Sequence, residues 1–292
     1  MLIENTKYFN HNSVFKGEPK DERVFDYTSL SLYLACPMKY KLRTVLNLVP
    51  AERAPALAFG GAIHKALASW YTHHNLGGAI AAFKGEYKNS DDTLRTVDKG
   101  IQILQGYAEK YKKEPFSIVF TERGYAIPLG RIEGVDTIYA GRLDGVVKWG
   151  EAFYVLEHKT TTRLGYSYFE QFTPNLQIDG YAILCRELMG RCDGVLVNAI
   201  GFNKVKKTDF IRSIANRTEE DIKRALTNIR LIVLSVLRSE KNGEFYQNKL
   251  MCNYYGRCPY KDFCESNFDE RVLRIYKHSV WNPLLGREED EI

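Results

Sequence analysis

Apolar positions in the first third of the chain recur at intervals of three and four. From Ser29 the residues Leu32, Leu34, Tyr40 and Leu42 begin a helical pattern, and after Phe59-Gly60-Gly61 a second follows with Ile63, Leu67, Trp70 and Tyr71. A third helix is expected from residue 92 to about 112, with Leu94, Val97, Ile101, Leu104, Tyr107 and Tyr111 on one face. The period then shortens to two or becomes a continuous apolar run. This predicts strands at 117–127, 137–148, 152–159 and 194–202, and a weaker one at 209–214. Helices are expected at 175–189 and at 219–237; before the second, Thr218 and Asp221 form a capping-box pattern, and Ile222, Leu226, Ile229 and Val233 line one side. Residues 1–27, broken by Gly17-Glu18-Pro19, read as an irregular arm, and the acidic end 287–292 as a solvated terminus.

Composition narrows the class. The 292 residues are 45% apolar and 26% charged, which excludes general disorder. No apolar run approaches the roughly 18 residues that span a bilayer, and MLIENTKYFN lacks a basic segment followed by an apolar one. A chain without membrane contact, resident in the cytoplasm, is the expectation. The net charge of +5 tilts only weakly toward an anionic partner. Cysteine placement says more. Cys252, Cys258 and Cys264 fall within 13 residues, while Cys36 stands near the start and Cys185 and Cys192 in the middle. In a cytosolic chain such clustering suggests metal ligation before disulfides.

The segment AGRLDGVVKWGEAFYVLEHKTTT, residues 140–162, carries the candidate chemistry. Two strand-like runs flank Trp149-Gly150-Glu151-Ala152, a turn in which Gly supplies the unusual backbone angle. Pairing outward from that turn sets Asp144 opposite Glu157. Two opposed carboxylates repel one another, and a hard divalent cation such as Mg²⁺ or Mn²⁺ reverses the sign. Lys159, two residues beyond Glu157, shares its face and could orient a water or offset charge on a phosphate; His158 points the other way unless the strand bulges. A surface salt-bridge cluster is the competing reading, but the neighbours Leu143, Val146, Val147, Tyr154, Val155 and Leu156 are apolar, and embedded charges there need a partner.

GRLDG followed by YVLEHKT resembles the PD-(D/E)XK nuclease superfamily, in particular its RecB-like branch with the CRISPR-associated exonucleases. The resemblance extends to His64 in FGGAIH and to Gln177 and Tyr181 in QIDGY, and covers roughly residues 29–265. It implies an α/β chain with a restriction-endonuclease-like mixed central sheet flanked by helices. It divides the chain into an arm, 1–27, and one nuclease domain, 28–292: a mainly helical part, 28–115, a catalytic sheet core, 116–215, and a C-terminal helix with a cysteine-clamped cap, 216–292. His64, Asp144, Glu157 and the backbone carbonyl of His158 are the implied ligands of Mg²⁺ or Mn²⁺. Asp144, Glu157 and Lys159 are the implied catalytic residues, and Gln177 and Tyr181 position substrate. Gly60 and Gly61 would let a helix N-terminus approach a ligand, and Glu122 in TERGYAI is an acid that could assist but stays outside the ligand set.

Three clustered thiolates need a fourth, and Cys36 in ACPMKYKL is the natural candidate. In iron–sulfur members of the RecB-like group one Cys precedes the core and three follow it, which implies that Cys36, Cys252, Cys258 and Cys264 hold a [4Fe–4S] cluster. A structural zinc is the alternative, although five-residue gaps are looser than those of zinc ribbons. Basic and aromatic residues mix at Lys39, Tyr40, Lys41 and Arg43, at Lys204, Lys206 and Lys207, and at Tyr254, Tyr255, Arg257, Tyr260 and Lys261; this composition suits DNA that is single-stranded or has free ends. The implied function is a metal-dependent deoxyribonuclease, an exonuclease in DNA processing, recombination or CRISPR adaptation with protein partners to match. A DNA-binding or assembly module that keeps the nuclease fold is the alternative.

Overall fold

β-branched and aromatic runs become strands, and the stretches with a period near 3.6 become helices, in the computed structural model, which describes residues 22–52, 54–88, 91–204, 208–254 and 256–290. The elements run β1 (Glu22–Phe25), α1 (Tyr27–Ala35), α2 (Pro37–Tyr40), β2 (Leu48–Pro50), α3 (Pro55–His73), α4 (Leu76–Glu86), α5 (Val97–Lys110), β3 (Ser117–Ile132), β4 (Val135–Trp149) and β5 (Ala152–Thr161). There follow α6 (Leu176–Met189), β6 (Gly194–Gly201), β7 (Asp209–Asn216), α7 (Glu219–Asn242), α8 (Lys261–Glu265), β8 (Tyr276–Asn282) and β9 (Arg287–Asp290). No helix among the described residues is long and apolar enough to cross a membrane. The chain forms two compact units, one from residues 54–123 and 143–222, the other from 22–52, 124–142 and 223–290. Both are discontinuous in sequence, so they cut across the three expected segments.

The first unit holds a mixed sheet and its helices. β4 and β5 pair antiparallel from Gly145↔Leu156 to Trp149↔Ala152 across the two-residue turn Gly150–Glu151, with Gly150 at φ +61. This is the register expected from sequence. β5 then runs parallel to β6, with α6 as the intervening helix, and β6 is antiparallel to β7. β6 is buried at all eight positions, as a strand covered on both faces must be. The core joins Phe59, Ile63, Leu67, Phe83, Ile103 and Tyr107 of α3, α4 and α5 to Val147, Leu156, Leu196 and Ile200 of the strands. α4 has no counterpart in the sequence reading, because three glycines in LGGAIAAFKGE dilute its apolar period.

In the second unit β1 pairs parallel with β4, from Glu22↔Asp136 to Phe25↔Tyr139, within what the sequence suggested was an irregular arm. Residues 1–21 of that arm lie outside the described residues. β3 and β4 are joined by Glu133 and Gly134, at φ +50 and +81, a tight hairpin turn. The helix expected from Ser29 through Leu42 breaks at Cys36, which Pro37 forces into extended backbone at φ −163, ψ 112. A second sheet, β2-β8-β9, was not expected from sequence; residues 287–290 pair with β8 instead of forming a free acidic terminus. Glu240 of α7 accepts from Arg23 at 2.8 Å and from the Tyr40 hydroxyl at 2.7 Å.

Candidate active site

Four elements of the first unit bring the candidate groups together. Asp144 lies one residue beyond the last paired rung of the β4–β5 ladder, and its Oδ2 accepts from the backbone N–H of His158 at 2.8 Å. His64 comes from the middle of α3, where Gly60 packs so close to β5 that a Cβ there would stand 3.2 Å from Thr160 Oγ1. Gly60 therefore serves helix–strand contact, and both glycines lie inside a 19-residue helix instead of at a helix N-terminus as expected. His64 Nδ1 reaches the Asp144 carboxylate at 3.1 Å. Glu157 and Lys159 share a face as strand alternation requires, with Lys159 Nζ donating to Glu157 Oε1 at 2.5 Å.

α6 completes this face. Asn175 caps it by accepting from the N–H groups of Gln177 and Ile178, which puts Gln177 in the first turn and Tyr181 one turn on. Lys159 Nζ donates to Gln177 Oε1 at 2.7 Å, and Gln177 Nε2 donates to the Tyr181 hydroxyl at 3.0 Å. A lysine can only donate, so it fixes which end of the glutamine amide faces it.

His158 points away from this face and is buried. Its ring lies 5.9 Å from that of Tyr71, nearly parallel, and its Nδ1 is 2.8 Å from Asn198 Nδ2. Asn198 Oδ1 accepts from Arg212 Nε at 3.1 Å, and Arg212 forms a two-pronged pair with Glu114 at 2.6 and 2.8 Å. The Tyr71 and Tyr107 hydroxyls, 2.6 Å apart, both accept from the same guanidinium. Sequence reasoning missed this network, whose members lie far apart along the chain.

Burial and mutual charge set the protonation of the cluster. Burial would keep His64 neutral, but the adjoining Asp144 carboxylate outweighs it and lifts the imidazole to about 9. Burial works against the Asp144 charge as well; His64 prevails and holds that carboxyl well below the usual range. Glu157 is pushed up, by burial first and by the Asp144 charge, against the pull of Lys159. Burial drives His158 down to about 3, so it is neutral.

Glu122 is the residue the sequence undervalued. One ligand atom each of His64, Glu122 and Asp144 lies within 4.8 Å of the others, making this the metal-sized group of acids and imidazole among the described residues; Glu157 is not part of it. Glu122 sits in β3 at φ +49, a left-handed backbone that is uncommon outside glycine and breaks the strand's alternation. Glu157 meets a different test. Its Oε2 is buried with no hydrogen-bond partner, and an orphaned carboxylate oxygen beside a second carboxylate is what a hard cation would satisfy. The oxygen-rich donor set with one imidazole fits Mg²⁺ or Mn²⁺.

The sequence profile of the PD-(D/E)XK nuclease superfamily matches residues 25–265. The chain belongs to that superfamily. Among solved structures, a candidate exonuclease from Eubacterium rectale is similar over 82% of this nuclease-family chain and 92% of its own, at 13% identity and a TM-score of 0.48. SSO0001 is similar over 85% of this chain and 86% of its own, at 12% identity and a TM-score of 0.38. No curated protein matches the chain.

The second unit of this PD-(D/E)XK protein gathers the four cysteines expected to act together. Cys36 follows α1, and its Sγ accepts from the N–H of Asn248 at 3.3 Å. Cys258 N donates to the Cys252 carbonyl at 2.8 Å, and Cys258 and Cys264 pack against Leu42, Leu48, Tyr260, Phe263 and Tyr276. Burial and then the nearness of Cys258, Cys36 and Cys252 raise the Cys264 thiol to about 11. All four are free and partly exposed, whereas Cys185 and Cys192 are buried. Thiols near Cys264 are soft donors of the kind that suit a soft metal centre.

The basic and aromatic surface expected here is smaller than composition suggested. Tyr40 and Tyr260 are core residues, 1% and 2% exposed, with hydroxyls donating to Glu240 and to the Leu48 carbonyl. Arg257 pairs with Asp262, and Lys261 with Glu265 at 3.6 Å, inside the cysteine loop itself. Tyr254 is exposed; Lys206, Lys207 and Tyr255 lie outside the described residues.

Proposed function

We propose that this chain is a metal-dependent deoxyribonuclease that trims DNA from free ends, in recombination or CRISPR adaptation, and that it carries a structural [4Fe–4S] cluster. The observation that carries the catalytic reading is the buried, unpartnered Oε2 of Glu157 beside Asp144, on the strand that also presents Lys159. Mg²⁺ or Mn²⁺, held by Asp144 and Glu157 with His64, Glu122 and the His158 carbonyl as further ligands, would supply Lewis acidity and a more acidic water.

The chain's own groups do the rest. Lys159 Nζ, fixed between Glu157 Oε1 and Gln177 Oε1, orients the attacking water and offsets negative charge that grows on the phosphate. Gln177 and Tyr181, linked by their own hydrogen bond, align the DNA backbone. The His158 N–H holds the Asp144 carboxylate in one orientation. Water attacks phosphorus, the ester P–O bond breaks, and the leaving oxygen takes up a proton.

For the cluster, support comes from the nearness of Cys36, Cys252 and Cys258 to Cys264, on which their charges act.

End-labelled single- and double-stranded DNA, digested by anaerobically purified protein, tests the activity. Cleavage with Mg²⁺ or Mn²⁺ and none with EDTA is expected, with mononucleotides or short oligonucleotides released from the ends. Asp144→Ala and Lys159→Ala should each lose at least about 10²-fold in rate with the fold retained by circular dichroism. Metal-dependent cleavage retained by Lys159→Ala would overturn the mechanism.

A further inference from the structure

The loop between β5 and α6 starts and ends at the candidate site. It leaves just beyond Lys159 and returns at Gln177, and these two side chains meet at 2.7 Å. Between them the turn Tyr166–Phe172, YSYFEQF, carries four aromatic residues in seven. Three pack on one another: Tyr168 with Phe169 and Phe172 at centroid distances of 5.4 and 5.6 Å, and Phe169 with Phe172 at 6.3 Å. Phe172 is buried, and Gln171 ties the turn inward, with its Nε2 donating to the Tyr168 carbonyl at 2.6 Å and its own carbonyl accepting from Asn175 at 3.0 Å. Tyr168 also reaches the site: burial raises its phenol, the Lys159 ammonium opposes that, and it hydrogen-bonds to Thr161.

Tyr166 is different. Its relative exposure is 103%, the highest among the exposed large hydrophobic residues of the described chain. The fold gains no burial from this ring, yet it stands on a loop pinned at both feet by site residues and braced by three packed aromatics. Three residues before it, Arg163 is exposed as well. An open aromatic face on a braced support, with an exposed cation three residues earlier in the same loop, has the chemistry of a platform for an unpaired base. In a duplex the base faces are already stacked and unavailable to it.

We infer that Tyr166 stacks on a base of the strand whose backbone lies at Asp144, Glu157 and Lys159, and that it gives the site its preference for single-stranded DNA. This inference rests on the nuclease reading proposed above. The test is fluorescence anisotropy of the full chain in Ca²⁺, with a labelled single-stranded oligonucleotide and the blunt duplex of the same sequence, alongside thermal melts. Tyr166→Ala should weaken single-strand binding about tenfold, one lost base–aromatic stack, and change duplex binding less than about twofold; Tyr166→Phe should bind as the parent does. Melting temperatures should not move, because the ring is fully exposed. Unchanged single-strand affinity in Tyr166→Ala, or equal weakening for both oligonucleotides, overturns the platform while parent cleavage in Mg²⁺ leaves the nuclease reading standing. A parent protein that neither binds nor cleaves DNA overturns the reading beneath it.

Discussion

The oxygen-lined site of the first unit and the sulfur-lined region of the second differ in how their groups are held. Asp144, Glu157, Lys159 and His64 sit on two strands and a long helix, and each is fixed by a named hydrogen bond to another side chain or to strand backbone. The four cysteines sit at helix ends and in loops, partly exposed, and the sulfur of Cys36 is met by a backbone N–H. Rigid elements suit groups that must keep sub-ångström geometry through a reaction. Loops suit ligands whose order comes from the centre they bind, since binding free energy there becomes folding free energy. The lesson is that one site should fail in rate and the other in stability.

The largest expected effect separates the two directly. Cys258→Ala should lose iron and visible absorbance and cost roughly 2–5 kcal/mol of stability, on the scale of releasing a cross-link that closes a long loop. EDTA should stop cleavage with iron and absorbance unchanged. Iron analysis, absorbance spectra and thermal melts on the same samples check both, and a Cys258→Ala protein that melts like the parent would remove the contrast.

Next in size, Arg212→Met should cost about 2–4 kcal/mol, because it removes the guanidinium that pairs with the half-buried Glu114 and leaves the buried Asn198 side-chain oxygen without its donor. Chemical denaturation measures the loss. Iron content should not change, since the residue belongs to the network under His158 alone.

The smallest effect is a pH dependence. In chelator, folded His64 keeps its proton to about 9 while the unfolded residue loses it near its ordinary 6.5, so folded protein binds more protons between those values. Stability from this pair is full below about pH 6.5 and is lost as pH rises through 9, up to about 3 kcal/mol. The raised Glu157 carboxyl adds in the same direction. His64→Gln should flatten the alkaline limb of the pH–stability curve, and saturating Mn²⁺ should do so in the parent because cation and proton compete for one set of atoms. A limb unchanged in His64→Gln would assign it elsewhere.

Much of the candidate site was legible because its spacing is local. A two-residue turn fixed the β4–β5 register, which placed Asp144 and Glu157 side by side, and alternation put Lys159 with Glu157 and His158 opposite. The four-residue interval of Gln177 and Tyr181 sufficed for their helix face. Glu122 was not legible, because what brings it to His64 is a left-handed kink in a strand, and a backbone angle leaves no mark in a period of two. α4 was hidden by its glycines, and β8 and β9 by the lack of alternation in YKHSVWN and REED.

The sequence by itself determined the type of most elements, the hairpin register and the pairing of Asp144 with Glu157, because each follows from interactions among residues close along the chain. Tertiary structure alone decided that Tyr40 and Tyr260 are core residues, that Gly60 lets α3 approach Thr160, and that Asn198 and Arg212 stand behind His158. Those outcomes depend on which distant surfaces meet, and no pattern read along a single segment contains its partner.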